Sequence, residues 1–138
     1  MRKIALLTLS LFAVLAVAAQ AQSTNLVVNV PFDFRIDKMA YEAGRYELIR
    51  TGSSSVPVWL FRPEAGGRVQ IIVTGVTGPK PASEQPLVTF HRYGNVTFMA
   101  GIQIPGTAAG MQLTRGKLEQ ELAGRLAPEK ATIVARTR

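Results

Sequence analysis

The chain has 138 residues, 16 Lys and Arg against 9 Asp and Glu, one His and no Cys. That length suits one domain with a real core, and the apolar content excludes wholesale disorder. Without Cys there is no disulfide framework, no thiolate zinc site and no lipoprotein anchor built on Cys.

Met1-Arg2-Lys3 is a short positive segment, and Ile4–Val17 is an apolar run of 14 residues. Ala19-Gln20-Ala21 then fits the small-x-small pattern of signal peptidase sites. Fourteen helical residues span roughly 21 Å at ~1.5 Å each, short of a ~30 Å hydrocarbon core. The expectation is a signal peptide over residues 1–21, cleaved after Ala21, and a single domain over 22–138 that is exported to the periplasm or outside the cell. No later stretch reaches 18 uninterrupted apolar residues, so no transmembrane segment is expected after cleavage. No phosphate-cradling motif for a nucleotide cofactor is present.

The mature chain opens on its clearest pattern. Leu26, Val28, Val30, Phe32, Phe34 and Ile36 share one parity, and Asn29, Pro31, Asp33, Arg35 and Asp37 share the other. Period two predicts a strand with one buried face, and Pro31 predicts an edge or a bulge. Six further runs read as strands: Met39–Tyr41, Arg45–Arg50, Val56–Arg62, Val69–Thr77, Leu87–Tyr93 and Val96–Ile104. Gly44, the Gly52-Ser53-Ser54-Ser55 loop, the Pro63–Gly67 turn and Pro79, Pro81 and Pro86 separate them. Gly94-Asn95 is a two-residue hairpin signal that sets Tyr93 opposite Val96, Arg92 opposite Thr97, His91 opposite Phe98 and Phe90 opposite Met99.

After Gly110 the character changes. Thr114 is a candidate helix cap, and Leu118, Leu122 and Leu126 recur every four residues as an apolar stripe ended by Pro128. Glu121 and Arg125 are spaced as an i,i+4 pair, and Ala131–Ala135 can return as a last strand. The fold expected is mainly β: a sandwich or partly open barrel of seven to eight strands with one C-terminal helix. The predicted core is Leu26, Val28, Val30, Phe32, Phe34, Tyr46, Leu48, Trp59, Ile71, Val73, Phe98 and Leu122.

Val30-Pro31-Phe32-Asp33-Phe34, Ala43-Gly44-Arg45-Tyr46, Phe90-His91-Arg92-Tyr93-Gly94-Asn95 and then Leu113 before a charged, Leu-bearing helix follow in an order that resembles a family. These are the small exported β-rich proteins abundant in some soil bacteria, reading V-P-F-x-F, L-P-A-G-x-Y, F-x-R-Y-G and E-L-A. The resemblance covers nearly the whole mature chain and departs at Tyr41-Glu42-Ala43-Gly44, where the family has Leu-Pro-Ala-Gly. It implies an exported single domain and carries over no catalytic residue. The motif residues are those a β fold needs for packing and turning.

No catalytic, cofactor-binding or metal-binding residue is assigned. His91 has Phe90, Arg92 and Phe98 as strand neighbours, and reads as a hydrogen-bonded hairpin residue. Asp33 and Asp37, four residues apart on an extended strand, stand about 13 Å apart, too far for a glycosidase pair. Glu119 and Glu121 face different ways on a helix and read as solvated. Ser53, Ser54 and Ser55 lack a nucleophile elbow, and Asn95 reads as a turn residue rather than a glycosylation site. Arg35, Arg45, Arg50, Arg62, Arg68 and Arg92 are spread over several strands, without the clustered stripe that nucleic-acid binding uses. Their diffuse field favours weak, salt-sensitive affinity for anionic polymers. The function expected is a non-catalytic exported module with a binding or structural role in the envelope; the alternative is a carboxylate-dependent hydrolase of envelope or environmental polymers. Val56–Phe61 and Val69–Val73 are apolar on both parities. A monomer with the helix as lid over that surplus is favoured over a homodimer.

Overall fold

A computed structural model describes residues 24–51, 56–79, 83–106 and 109–138. The leader reading, the Ser53-Ser54-Ser55 loop and Pro81 lie outside the described residues. Among the described residues eleven strands and one short helix follow in order. They are β1 (Asn25–Val30), β2 (Phe34–Ile36), β3 (Met39–Tyr41), β4 (Gly44–Thr51), β5 (Val58–Pro63), β6 (Gln70–Pro79), β7 (Leu87–Tyr93), β8 (Val96–Gln103), β9 (Ala109–Leu113), α1 (Lys117–Ala123), β10 (Glu129–Val134) and β11 (Arg136–Thr137). The mainly-β expectation holds, with more strands than the seven to eight predicted. The excess has three local causes. Pro31 splits the first alternating run into β1 and β2, β11 follows beyond Ala135 where the last expected strand ends, and β9 carries no β-branched residue to announce it.

The ladder path runs β10-β7-β8-β9-β6-β5-β4-β1-β11, with β2 and β3 to the side of β8. One strand, β6, turns a corner. The first half of β6 pairs with β5, from Gln70 opposite Phe61 to Val73 opposite Val58, while Thr74 to Val76 pair with β9. The path's two ends are consecutive in the chain: β10 lies on β7, β11 lies on β1, and only Ala135 stands between them. The Ala135 N–H donates to the Pro86 carbonyl at 2.8 Å. The sheet is open, and its two halves, β11-β1-β4-β5-β6 and β6-β9-β8-β7-β10, share one core.

That core is aromatic at its centre. Phe34 of β2 meets Tyr46 of β4 and Phe61 of β5 at ring-centroid distances of 5.2 and 5.9 Å, and Phe90 of β7 at 5.4 Å, so one ring touches both halves. Leu26, Val28, Val30, Phe34, Tyr46, Leu48 and Trp59 are buried in this core as predicted, Phe98 is buried beside Tyr93, and Phe32 is half-buried and edge-to-face with Phe90 at 5.1 Å. The inward parity of the first run survives its break at Pro31. Pro31 itself ends β1, whose Val28–Val30 stretch pairs with β4 alone, since β11 pairs only with Leu26 and Val27 at the far end.

Two predicted core residues are outside. Ile71 and Val73 are 66% and 55% exposed, and Ile72 and Thr74 point inward instead. The Thr74 hydroxyl and N–H both reach the Pro57 carbonyl at 3.1 Å, which satisfies a buried hydroxyl and locks this phase of β6. The β7–β8 hairpin has all four predicted pairs, turning at Gly94 with φ +63. Positive φ at the first loop position alone is the II′ pattern, which glycine adopts without strain.

The helix differs most from expectation. Its N-cap is Gly116, not Thr114, and no side chain caps it. A Cβ on Gly116 would meet Asp37 Oδ1 at 2.3 Å, so the missing side chain lets the helix start against the β2–β3 turn. Leu118 and Leu126 are exposed, Leu122 is half-buried, and the buried helix residue is Glu119. The ion pair at i,i+4 spacing here is Arg115–Glu119 at 3.9 Å, while Glu121 and Arg125 are both exposed. The helix therefore docks by a carboxylate on the β7–β8 hairpin and is not a lid over β5 and β6.

Candidate functional site

The residues with chemistry gather in two places, one under the helix and one on the outer face of β11-β1-β4-β5-β6. Under the helix, β7 alternation turns His91 and Tyr93 away from the aromatic core. Tyr93 donates its hydroxyl proton to Glu119 Oε1 at 3.2 Å. His91 Nδ1 lies 3.6 Å from the same oxygen, beyond a formed hydrogen bond, and is buried without a partner. His91 was expected to be hydrogen-bonded and without a carboxylate neighbour; the helix brings Glu119 to it. Glu119, expected to be solvated, is only 4% exposed.

Burial pushes the His91 imidazole below its ordinary value of 6.5, Glu119 opposes that shift, and Arg115 and Lys130 reinforce it. Lys130 faces His91 across the β10–β7 ladder, Arg115 comes from the lead-in to α1, and Tyr93 is on the same strand. Burial, then the charge of Glu119, raises the Tyr93 phenol. The folded state thus keeps His91 neutral, and the unfolded chain binds the proton more readily. Stability must fall as the pH drops through and below about 6.5. Urea midpoints at about pH 7.5 and 5.5 should show that loss in the wild-type chain and a smaller one in His91→Gln. An unchanged pH slope in the variant contradicts the assignment.

The other singled-out acids have structural roles. Asp33 Oδ1 accepts the Ala43 N–H at 2.9 Å, and Asp37 sits in the β2–β3 turn with φ +53 against Gly116. Asn95 is an exposed turn residue. Among the described residues no three His, Asp or Glu side chains converge as a metal-holding group. Two shallow clefts, of about 320 and 350 Å³, are lined by Gly75, Val76, Gln112, Leu113, Thr114 and Arg115, and by Val27, Asn29, Arg45, Val134 and Arg136. Neither is lined by a carboxylate.

The second place emerges from strand register. Reading across β11, β1, β4, β5 and β6, Arg136, Val27, Glu47 and Arg62 stand in one row, with Asn29 and Arg45 in the row on one side. On the other side, Asn25, Ile49, Leu60 and Ile71 form a row, followed by Thr51, Val58 and Val73. Arg138 stands beside Asn25, to whose carbonyl its N–H donates at 2.9 Å. With the Arg138 side chain turned back onto Glu47, the outer face divides into an arginine-rich end and, from β4 to β6, an uncharged, largely aliphatic end.

Glu47 organises the charged end. Arg62 donates to Glu47 Oε2 from Nε at 2.9 Å and Nη2 at 2.7 Å, and Arg138 Nη1 is 3.3 Å from Oε1. The hydrogen bonds from Arg62 and the two positive charges hold the Glu47 carboxyl below its ordinary value of 4.5. It is 4% exposed because the guanidinium groups cover it on the outer face, not because it lies in the core. Arg45 pairs with Glu64 at 2.6 Å. Four arginines thus meet two carboxylates here, and Arg136 opens onto the larger cleft with Arg45. From the sequence Arg45 and Arg62 read as dispersed and Arg136 and Arg138 are not singled out, because only the ladder registers bring the four together.

A scan against protein-family models, a search of curated proteins and a search of solved structures each found no match to the chain. Among the described residues no helix is long and apolar enough to cross a membrane.

Proposed function

We propose that the chain is an exported, sandwich-like β domain that works by binding in the cell envelope, with the outer face of β11-β1-β4-β5-β6 as its recognition surface. The observation that carries this reading is the gathering of Arg45, Arg62, Arg136 and Arg138 on that one face against Glu47 and Glu64. The leader-like run at residues 4–17 supplies the export half of the reading. Among the described residues no observation favours the hydrolase alternative: Glu47 on β4 and Glu119 on α1, over the other half of the sheet, are each held by their own partners.

Arg45 and Arg136 are the residues to change, since Arg62 and Arg138 also neutralise Glu47. The exported wild-type chain should stay with the particulate envelope fraction at low salt and leave it at high salt, because exposed charges are screened over about 10 Å at 0.1 M. An Arg45→Gln/Arg136→Gln chain should be found largely in the soluble fraction. A wild-type chain that is soluble at low salt refutes the reading.

A further inference from the structure

We propose that the surface this face recognises is an anionic lipid bilayer, an inference that rests on the binding reading above and names its partner. The outer face presents two chemistries side by side. Its charged end carries four arginines, with Arg45, Arg62 and Arg138 side chains 61%, 48% and 56% exposed, against two carboxylates. Its other end carries Ile49, Leu60, Val58, Ile71 and Val73 in adjacent rows, with Val69 and Val56 exposed at the margin. No charged side chain stands among those rows between β4 and β6.

The partner must satisfy both ends at once. A soluble polyanion matches the arginines and leaves the aliphatic rows in water. A second copy stacked face to face covers the aliphatic rows but brings two surfaces of the same net positive sign together, which like-charge repulsion opposes. A bilayer with acidic headgroups offers phosphates to the guanidinium groups and an acyl boundary to the branched side chains. That combination of apolar burial and attraction to anionic lipid is what holds proteins at a membrane interface. Arginine also forms bidentate hydrogen bonds to phosphate. The helix sits over the other half of the sheet, so it does not compete for this face.

The test uses the chain from Gln22, which contains every described residue and the whole core, so that the apolar run at 4–17 does not itself partition into lipid. It is sedimented with vesicles of phosphatidylcholine alone or mixed with phosphatidylglycerol. The chain should sediment with the mixed vesicles at low salt, stay in solution with the neutral ones, and be released from the mixed ones by salt. Arg45→Gln/Arg136→Gln should weaken binding by about fivefold per arginine removed. Ile71→Asp/Val73→Asp should lose binding more than about tenfold while melting as the wild type does, because both side chains are exposed.

Equal sedimentation of the wild type and Ile71→Asp/Val73→Asp overturns the proposal, as does equal binding to neutral vesicles. A wild-type dimer in light scattering that becomes a monomer in Ile71→Asp/Val73→Asp also overturns it, assigning the face to a second copy. Envelope retention without vesicle binding refutes the lipid partner and leaves the binding reading standing; loss of both refutes both.

Discussion

Replacing Phe34 by alanine should cost about 3–5 kcal/mol, a large part of the stability of a domain of this size. The ring is 2% exposed and stands where the two halves of the sheet meet, against Tyr41, Tyr46, Phe61 and Phe90. Truncation removes the transfer free energy of the ring and leaves a cavity between strands held in register by their ladders, which cannot collapse to fill it. Edge-to-face geometry with three of those neighbours adds a term that another apolar side chain does not replace. Urea unfolding followed by far-ultraviolet circular dichroism measures the loss. A cost below about 1 kcal/mol contradicts the placement of Phe34 at the centre of the core.

Arg62→Met should cost about 2 kcal/mol, less than the loss of a partner from a deeply buried pair because Arg138 still faces Glu47 and Arg62 is half exposed. The loss comes from a covered carboxylate that keeps its charge and loses two hydrogen bonds. Adding Glu47→Leu should recover most of it, since an apolar pair needs no such partners on this face. A double variant as unstable as the sum of the single ones contradicts the account. The acid dependence has a fixed sign. Glu47 titrates below its ordinary value when folded, so its contribution is present above about 4.5 and is lost as the pH falls through the folded value. Arg62→Met should flatten that limb, which is distinct from the one His91 produces nearer neutrality.

These two sites differ in how they could be found from the sequence. Phe34 was legible because alternation from Leu26 to Ile36 is strict enough to fix a phase, and the structure keeps that phase across Pro31. The hairpin register was legible for a similar reason, since Gly94-Asn95 pins it to one pairing. From Val69 to Val73 the pattern carries no phase, because Ile71, Ile72 and Val73 are all β-branched. What decides it is Thr74, whose hydroxyl finds the Pro57 carbonyl only if Ile72 points inward with it.

The four-residue leucine spacing does not mark the helix's buried face, which is Glu119. The segment's ordered helix ends at Ala123, before Leu126, and Glu119 has a buried phenol and an arginine to meet that no leucine could satisfy. Of the outer face, the aliphatic surplus was legible in Val56–Phe61 and Val69–Val73, and the arginine end was not. Arg45, Arg62 and Arg136 are separated by 17 and 74 residues, and only the registers of three ladders set them side by side. Long-range pairing of this kind leaves no trace in local composition.

The absence of cysteine makes the most direct test of the central claim simple, since any cysteine introduced is the only one in the chain. An environment-sensitive fluorophore is attached at Ile71→Cys in the aliphatic rows, or at Asn95→Cys on the exposed hairpin turn of the other half. Each labelled chain is then mixed with envelope membranes at low salt. The label at position 71 should shift to the blue and lose the shift at high salt, while the label at 95 should not respond. A shift at 95 with none at 71 would contradict the assignment of the outer face as the binding surface.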